Sequence, residues 1–332
     1  MTESGTATGL QEVDSLEVRV IVDNVTDNLS TIPDFVQHER EFLQLRGMTT
    51  LAGECLCCAA WGLSLVLIAR RGGESRSVLF DAGPDNAVFE RNAVRMQTDF
   101  SAIDAVVLSH GHFDHAAGLE RALQFITAAK QGTPTAVYMH PGMFRRRGTQ
   151  FPNGFVLPLK DVPGPKTLGQ RGAEVIASDK ATALLDGCYW LSGEIPRVTD
   201  YEKGLLNQVR ESDDGGWEPD PWIMDERFLA VNVKDKGLVV FSACSHAGIV
   251  NVVTEARARF PDLPLYAVMG GLHLAGAAVE KIIPETVADL ADFNIERIIP
   301  GHCTGWRAVN ALVAAFGEEV VDPSAVGRVY SF

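Results

Sequence analysis

The sequence has few cysteines, fewer basic than acidic residues and no long apolar run. Its six cysteines, at positions 55, 57, 58, 188, 244 and 303 of 332, are too sparse and irregular for a disulfide framework. No stretch reaches the roughly 18 consecutive apolar residues of a membrane-spanning helix, so we expect no membrane association. The N-terminus lacks the basic and apolar segments of a signal peptide, which predicts a cytoplasmic protein.

The charge balance restricts the class of partner. The chain has 43 acidic and 29 basic residues and a formal net charge of −14. Such a charge repels polyanions, so we expect a small-molecule substrate and no nucleic-acid partner. The basic cluster at positions 145–147 could hold a small phosphate, but charge runs are more often solvated, and we interpret it as a solvent-exposed loop. Composition does not report the oligomeric state, and a homodimer stays open.

The length and the 46% hydrophobic content allow a large core. We predict a polar N-terminal tail over residues 1–14 and a single domain over residues 15–332. Two stretches, near 31–58 and 195–225, have no regular pattern and contain aromatic residues. Long irregular stretches of this kind are commonly lids or binding loops, so we predict loop insertions at both places.

The apolar periodicity predicts an α/β fold. Strands are expected at 16–23, 63–68, 77–80, 105–108, 136–139, 188–191, 228–233, 238–241, 265–269 and 297–299. Helices are expected at 116–129, 249–259, 278–293 and 306–316. Strands followed by β/α alternation in both halves indicate two mixed β-sheets with helices on their outer faces.

Potential metal-ligating side chains are concentrated in the run Ser-His-Gly-His-Phe-Asp-His at 109–115, which directly follows the apolar run 105–108. Three of the eight histidines occur here, in alternation with glycine and aspartate. His110 and His112 can converge on one cation, and Asp114 and His115 can serve a second. Imidazole and carboxylate are ligands that zinc and its neighbours accept. The run therefore predicts a metal site at the end of a strand.

This HxHxDH run resembles the signature of the metallo-β-lactamase-fold hydrolases. Three other runs also resemble motifs of this family: LFDAG at 79–83, FSACSHAG at 241–248 and PGHCTG at 300–305. The runs CSHAG, MGGLHL at 269–274 and HCTG resemble a subgroup labelled as similar to dihydropterin ribofuranosylaminobenzene phosphate synthase. The resemblance covers roughly residues 17 to 310. It implies a metallo-β-lactamase-like αββα sandwich.

The resemblance also implies a binuclear centre with two divalent metal ions. The first ion would take His110, His112 and a later histidine, and the second would take Asp114, His115 and His302. We expect Zn²⁺, with iron or manganese as alternatives, because imidazole and carboxylate accept all three. Asp81 is expected to orient the metal loop by hydrogen bonding from outside the ligand shell.

Two positions have more than one interpretation. Many superfamily members have a bridging aspartate after a later strand, but this chain has Cys244 and His246 there. Either Cys244 takes that place as a thiolate, or solvent alone bridges and His246 supplies the missing imidazole. We favour the second, with Cys244 in a supporting position. His273 is a candidate general acid or substrate contact, a metal ligand, or a satisfied polar core residue. We take it with Asp114 as a candidate catalytic residue.

These residues predict a metal-dependent hydrolase. Two cations lower the pKa of a shared water, which would attack a small ester, lactone or phosphodiester. One alternative is bond formation on a pterin-like phosphate, as the subgroup label suggests. Another is a non-catalytic sensor that retains the metal site.

Overall fold

The computed structural model describes residues 9–332. This part of the chain forms 19 strands and eight α-helices. The strands are β1 (Glu12–Val13), β2 (Ser15–Val22), β3 (Val36–Gln37), β4 (Ser64–Arg71), β5 (Glu74–Phe80), β6 (Ala105–Val107), β7 (Thr135–Met139), β8 (Arg147–Gln150), β9 (Val156–Pro158), β10 (Ala173–Ala177), β11 (Thr182–Leu184), β12 (Tyr189–Leu191), β13 (Gln208–Glu211), β14 (Trp217–Pro219), β15 (Leu229–Val233), β16 (Gly237–Ser242), β17 (Leu265–Gly271), β18 (Arg297–Gly301) and β19 (Val329–Ser331). The helices are α1 (Glu39–Gln44), α2 (Asn86–Arg95), α3 (Phe113–Ala116), α4 (Leu119–Ala129), α5 (Pro165–Gln170), α6 (Ile249–Arg259), α7 (Ile283–Ala291) and α8 (Trp306–Phe316).

Most strands belong to two large mixed sheets. The first sheet has eight strands in the order β10-β7-β6-β5-β4-β2-β19-β3. The second has seven, in the order β11-β12-β15-β16-β17-β18, with β1 beside β15. Strands β5, β6 and β7 run parallel in the first sheet, and β16, β17 and β18 run parallel in the second. The predicted pair of mixed sheets is confirmed.

An apolar layer lies between the two sheets. Leu67 of the first sheet and Phe241 and Met269 of the second belong to this layer. Because successive side chains of a strand point to opposite faces, the adjacent Val66 and Val240 pack outward instead. Each sheet is therefore buried on both faces.

Helices cover the two outward faces. Phe89 of α2 and Leu123 of α4 are part of the core outside the first sheet. Val253 of α6, Leu290 of α7 and Leu312 of α8 are part of the core outside the second. This arrangement confirms the predicted αββα sandwich. None of the helices in the described part of the chain has the length and apolar character to cross a bilayer.

Helices α6 and α8 have the bounds that their apolar periodicity predicts. The helix predicted at 278–293 is shorter, because Glu280–Ile282 form a 3₁₀ turn before α7, which has proline in its first turn. The helix predicted at 116–129 is divided at Gly118. A Cβ at this glycine would lie 2.0 Å from the carbonyl oxygen of Ala82, so the chain approaches the loop after β5 too closely there for any side chain.

The structure also contains a small third sheet that the sequence did not predict. Its strands have the order β14-β13-β8-β9, so the insertion near 195–225 contains a β-hairpin. The expectation of a solvent-exposed loop at 145–147 is wrong for Arg147, which lies in β8 and is only 4% exposed. Ion pairs with Asp220 and Asp225 permit its burial, because they balance its charge.

The other predicted irregular segments are also partly ordered. The insertion near 31–58 contains β3 and α1. Within the predicted polar tail, Glu12–Val13 pair with β15 and Val13 is buried. Residues 1–8 of that tail lie outside the described residues.

Candidate metal centre

The histidine-rich loop joins β6 to the short helix α3. The apolar strand β6 ends at Val107, and His112 occupies the N-cap position of α3, which carries Asp114 and His115. The loops after β16 and β18 bring His246 and His302 to the same place. All five of these side chains are buried or nearly buried.

The first group of ligand atoms contains three imidazoles. His110 Nε2 lies 3.1 Å from His112 Nδ1 and 3.2 Å from His246 Nε2. The other ring nitrogen of His110, Nδ1, lies 2.9 Å from the hydroxyl of Ser109. The Nε2 atom is therefore the one that faces the two other histidines.

The second group contains two imidazoles and one carboxylate. His115 Nε2 lies 3.2 Å from His302 Nε2. Asp114 Oδ2 lies 3.4 Å from His302 Nε2 and 3.8 Å from His115 Nε2. Trp61 donates its indole N–H to the same carboxylate oxygen at 2.8 Å, which fixes its orientation.

Outer hydrogen bonds orient the imidazoles of the second group. Asp81 Oδ2 lies 2.7 Å from His115 Nδ1 and accepts the hydroxyl of Ser109, while Asp81 Oδ1 accepts the Ser109 N–H. His302 Nδ1 lies 3.0 Å from Asn24 Oδ1. The nitrogens that face away from the centre thus have partners, an arrangement typical of metal-binding histidines.

The pKa shifts separate the two groups. Burial lowers the pKa of His110 and His246 well below the usual value, and neighbouring imidazoles lower it further. Burial and the Arg147 guanidinium lower the pKa of His112 to about 3. These three rings are therefore neutral at pH 7, the form that binds a cation.

In the second group, charged neighbours outweigh the effect of burial on the pKa values. Burial disfavours a charged His115, but the carboxylates of Asp114 and Asp81 outweigh it and raise its pKa to about 9. Burial likewise opposes ionisation of Asp114, yet His115 and His302 lower its pKa overall. A strong field of negative charge therefore surrounds the His115 ring.

The donor set suits binding of divalent metal cations. The neutral rings of His112 and His246 each bring a nitrogen to within 3.1–3.2 Å of the His110 ring. Neutral imidazoles carry one N–H each, so few protons are available for hydrogen bonds among these nitrogens. Nitrogen and carboxylate donors in these proportions suit zinc, iron or manganese. The structure brings together His110, His112 and His246 in one group and Asp114, His115 and His302 in the other, and it places Asp81 behind His115.

Cys244 and His273 lie beside both groups. Cys244 Sγ is within 4.8 Å of the ligand atoms of His110 and His246, and equally within 4.8 Å of those of His115 and His302. The ring of His273 lies 4.4 Å from that of His246, and its Nδ1 is 3.6 Å from Cys244 Sγ. Burial raises the pKa of the Cys244 thiol, so the sulfur is protonated unless a cation or a hydrogen-bond donor offsets that cost.

Sequence reasoning missed several residues that hold the centre. The carboxylate of Glu226 accepts the backbone N–H groups of His246 and Ala247. Asp23 Oδ1 accepts the N–H of His302 at 3.0 Å. Asp225 accepts the Gly111 N–H, and Arg147 donates to the Gly111 carbonyl. Asp23 and Asn24 follow β2 directly, so a polar pair after an apolar strand was their only signal.

Comparisons with known proteins agree with this geometry. Residues 76–164 match the model of the beta-lactamase superfamily domain. The chain is 28% identical over 260 residues to a protein of Methanocaldococcus jannaschii named 7,8-dihydropterin-6-methyl-4-(beta-D-ribofuranosyl)-aminobenzene-5'-phosphate synthase, covering 78% of this chain and 85% of that protein. It is 27% identical to an uncharacterized protein of the same organism, covering 72% and 83% of the two chains.

A solved structure extends the similarity to the fold of nearly the whole chain. The crystal structure of a metal-dependent hydrolase of the beta-lactamase superfamily superposes with a TM-score of 0.68. The two chains are 21% identical, and the match covers 96% of this chain and 98% of the other. The chain therefore has the metallo-β-lactamase fold, and its sequence is similar to that of the named dihydropterin ribofuranosylaminobenzene phosphate synthase.

Proposed function

We propose that this protein is a metal-dependent hydrolase with a binuclear centre, acting on a small ester, lactone or phosphodiester. The observation that supports it most is the pair of ligand groups at one edge of the two sheets. One group has three neutral imidazoles and the other has two imidazoles and a carboxylate. A protein that used these histidines only for packing would leave several buried ring nitrogens facing one another, at a cost in free energy.

The six residues would share the cations in two sets. His110, His112 and His246 would hold one, and Asp114, His115 and His302 the other. Bound divalent cations lower the pKa of a coordinated water and neutralise the charge that develops on a carbonyl or phosphoryl oxygen. Trp61 holds Asp114 Oδ2 in a fixed orientation through its indole N–H.

We assign proton delivery to His273. Its Nε2 is buried and has no hydrogen-bond partner within residues 9–332. Burial lowers the pKa of this ring, but contacts with Cys303 and with nearby acidic groups outweigh burial and raise it overall. A raised pKa favours the protonated ring, and a protonated imidazole can donate to a leaving group.

A small cavity adjoins the centre and supports a small substrate. It has a volume of about 140 Å³ and reaches His246 and His273. Its walls include the apolar side chains of Leu272 and Leu274, and Lys203 contributes a cation. Such a lining suits a compact molecule with an apolar part and an anionic group.

The named relative supports a second candidate function. A protein that is 28% identical to this chain is a synthase of a pterin-linked aminobenzene phosphate. Bond formation on a pterin-like phosphate would use the same ligand groups, with the substrate's anionic group near Lys203.

The experiment is reconstitution followed by a substrate panel. The purified protein is stripped with a chelator, loaded separately with Zn²⁺, Fe²⁺ or Mn²⁺, and assayed on p-nitrophenyl esters, lactones and bis-p-nitrophenyl phosphate. We expect hydrolysis with one of these metals and about two metal equivalents per chain. His112→Ala and Asp114→Asn are expected to lower the rate more than about 100-fold, beyond the loss that an outer partner causes.

His38→Ala is the matched control, because its Nε2 hydrogen-bonds to the Ser30 carbonyl, away from the centre. Full activity of the metal-free protein would contradict the proposal. Turnover of phosphorylated pterin precursors without any hydrolysis would favour the synthase instead.

A further inference from the structure

The sulfur of Cys244 lies close to both ligand groups. The same Sγ is within 4.8 Å of ligand nitrogens of His110 and His246 and of those of His115 and His302. Cys244 is 3% exposed, so its sulfur faces the centre and not the solvent. A cysteine buried only for packing would have apolar neighbours, whereas this one has imidazoles and another thiol.

We propose that Cys244 is a ligand shared by the two cations, bound as a thiolate. This inference rests on the proposed metal centre and goes beyond it, because it adds a seventh protein ligand to the six named above. It also replaces the supporting position expected from the sequence with a direct one.

The charge balance supports a shared thiolate. Two divalent cations bring four positive charges into a buried site, and Asp114 is the one carboxylate among the six other ligands. Asp81 adds a negative charge only from behind His115. Because uncompensated charge is costly in a buried site, a further anionic ligand between the cations would lower the free energy of the loaded protein.

One neighbour is placed to stabilise a negative sulfur at Cys244. His273 Nδ1 lies 3.6 Å from Cys244 Sγ, and an imidazole N–H can donate to a thiolate, which favours the charged form. Cys303 Sγ lies 3.1 Å from Cys244 Sγ, so two sulfurs are in contact beside the ligand groups. We therefore assign His273 as a positioning residue for Cys244.

The backbone beside these sulfurs leaves room for their contact. A Cβ at Gly271 would lie 2.6 Å from Cys303 Sγ and 2.6 Å from the Ala243 carbonyl oxygen. Any other residue at this position of β17 would displace Cys303 from Cys244. The glycine thus permits the close contact between the two sulfurs.

A thiolate ligand would also restrict the choice of metal. Soft sulfur ligands favour zinc, iron or cobalt, whereas manganese prefers oxygen ligands. We therefore expect Mn²⁺ to bind this protein more weakly than Zn²⁺ or Co²⁺.

Cobalt substitution tests the assignment without an activity assay. The protein, kept reduced, is stripped with a chelator and titrated with Co²⁺. Visible d–d absorption reports occupation of the site, and near-ultraviolet thiolate-to-cobalt charge transfer reports a sulfur ligand. We expect both absorptions in the wild type, and loss of the charge-transfer absorption in Cys244→Ser and Cys244→Asp.

Metal stoichiometry separates a ligand from a structural residue. We expect Cys244→Ala to weaken binding of the second cobalt more than about 100-fold, beyond the 10–100-fold of an outer partner. Cys244→Asp, which also offers an anionic ligand, should retain two equivalents. Cys188→Ala is the matched control, because Cys188 is equally buried but lies in the core between the sheets.

The results of the cobalt titration test the Cys244 assignment and the metal centre separately. Cobalt binding with d–d absorption but without charge transfer in the wild type would overturn the Cys244 assignment and leave the metal centre intact. Absence of cobalt binding by the wild type would instead overturn the proposed function. Charge transfer that persists in Cys244→Ser but disappears in Cys303→Ser would assign the ligand to Cys303 and reject Cys244.

Discussion

Arg147 and Asp225 form a buried ion pair that contacts both backbone polar groups of Gly111, in the loop between His110 and His112. Asp225 Oδ2 accepts the N–H of Gly111 at 2.7 Å, and Arg147 Nη1 donates to the Gly111 carbonyl at 3.1 Å. The two side chains also bind each other directly. A Cβ at Gly111 would lie 2.3 Å from Arg147 Nη1, so the contact requires glycine between His110 and His112. The small third sheet thereby positions the histidines.

Asp225→Asn should destabilise the protein by about 3–5 kcal/mol, because Arg147 would lose a partner in a buried pair. It should also lower metal affinity about 10–100-fold through the Gly111 contact. Denaturant unfolding and competition with a chelator measure the two effects. Arg146→Gln is the control, since Arg146 pairs with Glu211 at the surface and its loss should cost about 1 kcal/mol or less. Equal effects of the two substitutions would contradict this account.

Asp81→Asn should weaken the metal site that contains His115 about 10–100-fold. The substitution reduces the negative charge behind His115 Nδ1 and removes one of the two oxygen acceptors that Ser109 and His115 use. Titration with Zn²⁺ against a chromophoric chelator would detect one weakened equivalent and one unchanged equivalent. Asp85→Asn, which alters only the N-cap of α2, should leave both equivalents as in the wild type.

Trp61 should report metal binding by fluorescence. Its indole donates to Asp114 Oδ2 and its ring contacts His302 edge-on, although 60% of the side chain is exposed. Trp61→Phe should remove most of the metal-dependent change in emission and weaken binding about 5- to 150-fold, by about the 1–3 kcal/mol that an unpaired buried acceptor costs. Trp306→Phe serves as the comparison, and an unchanged metal response in Trp61→Phe would show that another tryptophan is the reporter.

Glu202 should make stability depend on pH. It caps α6 by accepting the N–H groups of Val250 and Asn251. Burial outweighs these hydrogen bonds and raises its pKa from 4.5 to about 7. Because the folded state holds the proton more tightly than the unfolded state, this contribution is full below about pH 4.5 and is lost as the pH rises through about 7.

Urea unfolding at pH 5 and pH 8 measures that contribution. Glu202→Gln should show a smaller decline in the free energy of unfolding between these pH values than the wild type. Glu285→Gln, at an exposed position in the first turn of α7, should retain the wild-type decline. A wild-type decline in Glu202→Gln would assign the pH dependence to another group.

Local patterns predict the sandwich and most of its elements. The continuous apolar run of β16 and the 3.6-residue period of α6 and α8 come from burial of both faces or of one face, and burial depends on the order of apolar residues. The ligands in the run 109–115 are equally local, since they share one loop and one helical turn.

Contacts between residues far apart in the chain could not be predicted from the sequence. Cys244 and Cys303 follow β16 and β18, and they meet beside Gly271 of β17, so their contact depends on the pairing of three strands. Arg147 looks like part of a solvated basic run because its two acidic partners are 73 and 78 positions away. The short strands β13 and β14 have three or four residues each, too few for a periodic signal.

The opposed rings of His115 and His302 join segments 187 positions apart, one from each sheet. An ion held between them would act as a cross-link that spans the two halves of the sandwich. Removal of that ion would therefore weaken the contact between the two sheets, and would not affect only the loop that carries His115. Slower amide hydrogen exchange along both β6 and β18 on metal loading would be the signature of such mechanical coupling.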